Sequence, residues 1–341
     1  MGTYIVRRCI QTAVVLTGLT VLLFTLLKAE SVGPCAMLLT NPTPDAQALY
    51  NGCIASRGLD KALPVQYAYW MGAVLHGDFG MDYNQETVLD AIGARLPATL
   101  LLIGFSYLLQ EVIAIPLGII GALRRNSIVD RLLTLLSYTF VSLPTFWLAA
   151  LLILVVAERL GWLPPGGTVS IGTNDPVVLG IPDFGTPVYW NYLLAHPGPT
   201  IGDLARHLVL PAVTLALAGI AADSRVVRSS MLAVIDADYV HTARAKGLSR
   251  RAVVGKHMLR NALLPLITNV ALSIPALASG AMVVETIFGW PGVGRYFLTS
   301  VVNNDINAIL AVLLFSGLLT LLGNLAADVC YGLADPRIRY D

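Results

Sequence analysis

Charge is what this chain has least of. Asp, Glu, Lys and Arg make up 13% of its 341 residues, about half the share of a soluble domain. So few charges cannot clothe a water-facing surface, which excludes a soluble enzyme or binding module and indicates an integral membrane protein. A net charge of +1 leaves no general basic surface for nucleic acid. Cysteine is also scarce. The four Cys are too few for a disulfide scaffold, and none forms CxxC or another metal-ligand spacing. The chain therefore calls for no metal and no cofactor.

Catalytic signatures are missing too. There is no Walker A stretch, hence no P-loop nucleotide site, no GxSxG turn, and no expected acid pair deep in two facing helices. "GDFG" (77–80) and "PDFG" (182–185) carry a kinase triplet. Neither comes with a Gly-rich loop, a strand lysine or an HRD segment, so both read as coincidence. His76, His196, His207, His241 and His257 have no ligand spacing within one helix and read as surface or interfacial. Glu111 and Glu285 stand in apolar runs, where an acid raises a functional question. Glu111, beside Gln110, reads equally as a hydrogen-bonded helix contact. The chain is expected not to be an enzyme.

What the sequence has in abundance is long apolar runs. Six of them, at 9–28, 98–122, 132–157, 208–224, 263–288 and 308–332, approach the roughly 20 residues a spanning helix needs. They lack strand alternation, so the expected fold is all-α, a polytopic membrane protein with six transmembrane helices. No cleavage pattern follows the first run, which reads as a retained helix. Pro116, Pro144, Pro211, Pro265 and Pro275 lie in or beside these runs and are expected to kink rather than break them. With the N-terminus inside, fifteen of the 22 Lys and Arg fall on the inner side, so both termini are expected there.

Two outer segments are long. Residues 29–96 include an amphipathic stretch, Pro64 to Leu75, with Tyr67 and Trp70 suited to the bilayer interface. Residues 159–206 are rich in Gly and Pro and read as loop. Cys35 and Cys53 share the first outer segment, on the oxidising side, whereas Cys9 and Cys330 lie near the inner face. Cys35 and Cys53 are the pair expected to bond, closing a loop of about 18 residues worth roughly 3 kcal/mol in chain entropy.

One segment breaks the apolar rule: "ADYVHTARAKGLSRRAVVGKHMLRN", residues 237–261. Spanning a bilayer with Arg244, Lys246, Arg250, Arg251, Lys256 and Arg260 would cost roughly 15–20 kcal/mol, so it must be an inner loop. It also carries helix punctuation. Asp236 and Asp238 suit a first turn, Arg244 and Lys246 a last turn. Gly247 suits the left-handed position past a helix end, and Ser249 suits the N-cap of a second helix reaching Asn261. The segment reads as a rod of about ten residues, a glycine corner and a second helix. On these grounds alone, a force-receiving rod and a topology loop touching anionic lipid remain equally open.

The stretch from Asp238 to Pro265 resembles the cytoplasmic coupling loop of membrane subunits of ATP-binding-cassette importers, nearest the dipeptide, oligopeptide and nickel branch. Further motifs follow in the family's order: "ARLPATLLL" (94–102), "IPLGIIGALRRNSIVDRLL" (115–133), "SLPTFWLAALL" (142–152), "RSSML" (228–232), "VVETIFGWPGVGR" (283–295) and "DPRIR" (335–339). The general coupling motif begins Glu-Ala-Ala, with Gly after three intervening residues. Here Ala243 and Gly247 match, while His241 stands at the acid and Thr242 at the first Ala. Pro265 comes late, and "ESVGPCAM" (30–37) replaces the family's usual Pro-Gly-Asp-Pro.

The resemblance implies a type I importer permease. Its N-terminal helix and extracytoplasmic loop would occupy 1–94. A permease core would fill 95–330, with the coupling loop at 236–261, and a cytoplasmic tail 331–341. Asp238, Tyr239, Thr242, Ala243, Arg244, Ala245, Lys246 and Gly247 would engage a cytoplasmic ATPase, while Glu285 and Trp290 are candidates for the translocation path. The implied partners are a second homologous permease, two ATPase subunits and an extracytoplasmic binding protein, in a bacterial plasma membrane. Short peptides are the expected solute, nickel complexes or glutathione-like molecules the alternatives. A stand-alone secondary transporter is the reading from another class. It would require inverted repeats and midplane ion ligands, and the sequence shows neither.

Overall fold

The computed structural model describes residues 2–30, 46–56, 60–170, 184, 186–262 and 281–334. Among them there is no strand, only an isolated antiparallel bridge between Met81 and Thr87. The fold is all-α, as expected. The chain divides into two compact units, residues 1–96 with 296–321, and residues 97–295 with 322–341.

In the first unit, α1 (Gly2–Glu30) is followed by α2 (Ala46–Ser56) and α3 (Leu63–Leu75). The amphipathic stretch is therefore a helix, started by Pro64 in its first turn, where a missing N–H costs nothing. Its aromatic face is turned onto α1. The Tyr67 and Trp70 rings each lie 5.6 Å from that of Phe24, and the Tyr67 hydroxyl is 2.8 Å from Thr20 Oγ1. Cys53, on α2, is disulfide-bonded. Cys35 lies outside the described residues.

The "GDFG" stretch proves to be the first corner of a turn. Gly77 and Gly80 adopt φ of 81° and 82°. Asp82 then accepts from the Asn84 and Glu86 amides and from the Tyr296 hydroxyl, at 2.9, 3.0 and 3.0 Å. Burial, and then the Asp82 charge, push the Tyr296 phenol above its usual range, so it stays a donor. Asp305 caps α12 (Ile306–Ala334) by accepting from Ala308 N and also takes the Tyr83 amide. Helix α11 (Val293–Val302) precedes it.

The second unit is built on α4 (Val88–Leu123), whose greater part it holds, α5 (Ile128–Ser142), α6 (Thr145–Arg159, its last seven residues wound as a π-helix), α7 (Pro187–Ala195) and α8 (Pro197–Val234). Helix α4 begins ten residues before the expected span and α8 eleven before. The second outer segment, read as loop, holds α7 and the start of α8. Pro116 and Pro211 sit inside continuous helices.

Pro144 does not merely kink. At Leu143 and Pro144 the backbone turns extended, with ψ of 129° and 133°, and α5 and α6 diverge by 103°. Pro265 and Pro275, with most of the fifth expected span, lie outside the described residues. Among the described residues, three helices are long and apolar enough to cross a membrane, Val88–Leu123, Pro197–Val234 and Ile306–Asn324, or four if the bent pair counts as one span. That is coarser than the expected six.

Helices α4 and α8 approach closely because α4 is small where they meet. A Cβ at Gly118 would stand 2.6 Å from that of Val227. Gly118 and Ala122, one turn apart, form the small-xxx-small contact that lets membrane helices touch backbone to backbone.

Candidate functional site

The rod lies at the C-terminal end of α8. Helix α9 (Asp238–Ala245) is amphipathic: Val240 and Ala243 are 0% and 4% exposed. They pack with Val227 and Met231 of α8, Ala122 of α4, and Met258 and Ala262 of α10 (residues 250–262). On the other side, Tyr239, His241, Thr242, Arg244, Ala245 and Lys246 are exposed. Of the eight residues the sequence nominated for the site, Ala243 is thus turned into the chain's own core. Its small side chain seats the rod.

Both ends of the corner are hydrogen-bonded as the punctuation implied. Gly247 adopts φ +72°. Its amide donates to Arg244 O at 3.0 Å, and the Leu248 amide donates to Ala243 O at 3.4 Å. This pair of bonds is the Schellman motif, which satisfies carbonyls a helix end would otherwise leave bare. Ser249 Oγ accepts from the Ala252 amide at 3.3 Å and so caps α10. Asp238 occupies the first turn, and Asp236 falls just before the helix. Within α10, Val253–Met258 is wound as a π-helix, a local widening common at functional positions.

The rod's base is braced from behind. Arg228 of α8 forms a two-pronged ion pair with Asp130 of α5, and Asp130 also accepts the Asn126 amide at 3.0 Å. Ser127 caps α5. The loop between α4 and α5 and the "RSSML" stretch, separate motifs in the sequence, are thereby one joint.

Glu285 and Trp290 are both 0% exposed. The Glu285 carboxylate accepts from Thr99 Oγ1 at 2.7 Å and from the Arg295 amide at 2.9 Å. Trp290 donates to Ala98 O at 2.9 Å, and Val293 N donates to Thr99 Oγ1 at 2.8 Å. A Cβ at Gly292 would stand 2.2 Å from the Glu285 carboxyl carbon, so only glycine fits there. The "VVETIFGWPGVGR" loop is closed on these two side chains and pinned to α4. Phe184, of the "PDFG" stretch, is buried in the same core, 6.2 Å from the Trp290 ring.

The sequence missed one group. Gln110 and Glu111 of α4 meet Asp223 of α8, and Gln110 Nε2 donates to Asp223 while lying 3.5 Å from Glu111 Oε1. Two acids do face each other between helices, contrary to expectation. The helical contact read for Glu111 holds, with Asp223 as the unforeseen member. Gly219 makes room, since a Cβ there would meet Gln110 Oε1 at 1.9 Å.

Over its whole length the chain is 38% identical to the oligopeptide transport system permease protein AppB of Bacillus subtilis (strain 168), covering 100% of both. It is 35% identical to OppB of Mycobacterium tuberculosis (strain ATCC 25618 / H37Rv), an oligopeptide transport system permease protein, with 99% of each covered. It is 34% identical to the di/tripeptide transport system permease protein DppB of Pseudomonas aeruginosa (strain UCBPP-PA14), covering 100% of this chain and 99% of the relative. Among solved structures, a chain of the MetNI methionine ABC transporter in inward-facing form matches with a TM-score of 0.52 and 17% identity. That match covers 71% of this chain and 94% of the other, a likeness of fold. The pattern of the binding-protein-dependent transport system inner membrane components spans residues 114–340, and the chain belongs to that family.

Proposed function

We propose that this chain is a membrane-spanning permease subunit of an ATP-driven importer of short peptides. It spans the bilayer six times with both termini cytoplasmic, and pairs with a second homologous permease and two ATPase subunits. An extracytoplasmic binding protein delivers the solute. The observation that carries this reading is the rod. Residues 238–247 form a capped helix whose inner face is locked into the subunit's own core, leaving Tyr239, Thr242, Arg244, Ala245 and Lys246 outward. A loop that only set topology would not need to be rigid.

In this mechanism the rod's outer face docks in a groove of one ATPase. When the ATPase pair closes on ATP, the rod moves with α8 and α10, and the two permeases rock to open the path outward. Glu285 and Trp290 act on the path by holding the 288–295 loop in shape. The peptide substrate rests on the full-length similarity to the peptide permeases.

The test is reconstitution. Proteoliposomes with both permeases, both ATPases and the binding protein should take up a labelled tripeptide only with ATP inside the ATPase compartment. The purified chain alone should neither hydrolyse ATP nor transport. Uptake by the lone chain would establish a stand-alone transporter instead, and uptake of nickel complexes or glutathione in place of peptide would reassign the solute.

A further inference from the structure

We propose that the groove between α4, α5 and α8 is a binding site for one anionic phospholipid, with an acyl chain in the groove and the phosphate on Arg225. The groove has a volume of about 190 Å³ and is walled by Ile113, Leu117, Leu133, Phe140, Leu217 and Ala221, with Arg225 and Arg228 on its lining. Its three hydroxyl-bearing residues add little polarity. Thr134, Ser137 and Ser224 each donate to a carbonyl of their own helix, at 2.8, 2.8 and 3.3 Å. The space is apolar in effect. For scale, a 150 Å³ apolar cavity accommodates a benzene ring, so this one takes part of a single acyl chain.

The two arginines differ. Arg228 is committed to Asp130. Arg225 lies with its guanidinium 5.1 Å from the centre of the Tyr138 ring, and its buried Nε has no hydrogen-bond partner. A guanidinium offers five donors in a fork that matches a phosphate. A buried donor left unmatched is costly, and a phosphodiester oxygen answers it with a charge-assisted bond.

The apolar walls select the occupant. A peptide lying along them would bury amide groups with nothing to bond, whereas an acyl chain has none to satisfy. The site also lies at the right end of α8. Arg225 and Arg228 are in its last three turns, beside the basic segment, where the positive-inside rule places the anionic leaflet. Nothing in this depends on which solute the protein moves.

The experiment is native mass spectrometry of the full-length chain released from detergent, offered equal amounts of phosphatidylglycerol and phosphatidylcholine. The expected result is one retained phosphatidylglycerol, favoured about tenfold. Arg225→Gln should cut that preference about fivefold, the usual effect of one basic residue at an anionic surface, and Arg225→Lys should keep most of it. Leu217→Trp fills the groove and should abolish retention with Arg225 intact. Equal retention of the two lipids by the wild type would overturn the site, as would phosphatidylglycerol retention unchanged by Arg225→Gln. If Leu217→Trp fails to fold, the two Arg225 variants decide alone. Displacement of the lipid by a short acidic peptide would assign the groove to solute and overturn the lipid assignment.

Discussion

Arg228 donates from Nε and Nη2 to the two carboxylate oxygens of Asp130, at 2.6 and 2.8 Å, across 98 positions of sequence. Asp130 is buried, while the Arg228 side chain is 32% exposed, so water tempers the pair from one side only. Removing one partner of a fully buried pair costs about 3–5 kcal/mol. Here Asp130→Asn should cost about 2–3 kcal/mol after allowance for that exposure. Denaturant unfolding in micelles measures it. In a cycle with Arg228→Met the double variant should lose less than the sum of the singles, by about 1–2 kcal/mol. Strict additivity would mean the two do not work as a pair.

Gly247 separates backbone demand from space. A Cβ there meets nothing within 4 Å, yet φ is +72°. Any penalty is therefore conformational, about 1–2 kcal/mol for an ordinary L residue and less for Asn. Gly247→Val should still co-purify with its ATPases but lose solute-stimulated ATP hydrolysis and uptake. Gly247→Asn should retain most of both. Equal activity of Val and Asn variants would show that the corner's geometry does not matter for coupling.

Gly292 poses the opposite problem, because space is what it lacks. A methyl group there would sit 2.2 Å from the Glu285 carboxyl carbon, so Gly292→Ala must displace a carboxylate that holds two hydrogen bonds. The expected loss is about 2–4 kcal/mol, at or above the usual range for overpacking. Glu285→Gln keeps the shape and the acceptor and should lose less than half as much. Thermal unfolding of the two variants side by side tests the order.

The first outer segment makes a covalent prediction. Cys53 is disulfide-bonded, and Cys35 is the cysteine expected from the sequence to share its compartment. Non-reduced peptide mapping should yield a Cys35–Cys53 cross-linked fragment. An impermeant thiol reagent on intact cells should leave Cys330 unlabelled. Labelling of Cys330 would place the C-terminus outside and overturn the orientation.

Much of this is legible in the sequence, for local reasons. The rod, its glycine corner and the Ser249 cap depend on residues within a turn of each other, and so does the Pro64 helix start. Helix lengths are less legible. Apolar runs mark the part that tolerates lipid, whereas α4 and α8 begin earlier, in "VLDAIGAR" and "PGPTIGDLAR", whose Asp90, Arg95, Asp203 and Arg206 interrupt the apolar run without interrupting the helix. Pro144 reads as a kink because a lone proline can be absorbed. The break at 103° needs both Leu143 and Pro144 to leave helical geometry, and only tertiary packing decides that. Pairings such as Arg228 with Asp130, or Gln110 with Asp223, join distant segments. No spacing rule reaches across 98 or 113 positions.

An eight-residue helix in water is mostly unfolded, since nucleation is costly and few bonds repay it. Helix α9 is eight residues long; its order comes from Val240 and Ala243 inserted among Val227, Met231 and Met258. The rod and the C-terminal end of α8 therefore melt or hold as one piece. Linkage then works in both directions. Whatever grips the outer face of the rod steadies α8 by some factor, and any rearrangement that loosens α8 weakens that grip by the same factor. Between the rod and α8, coupling is a property of one shared folding equilibrium and requires no chain of separate relays.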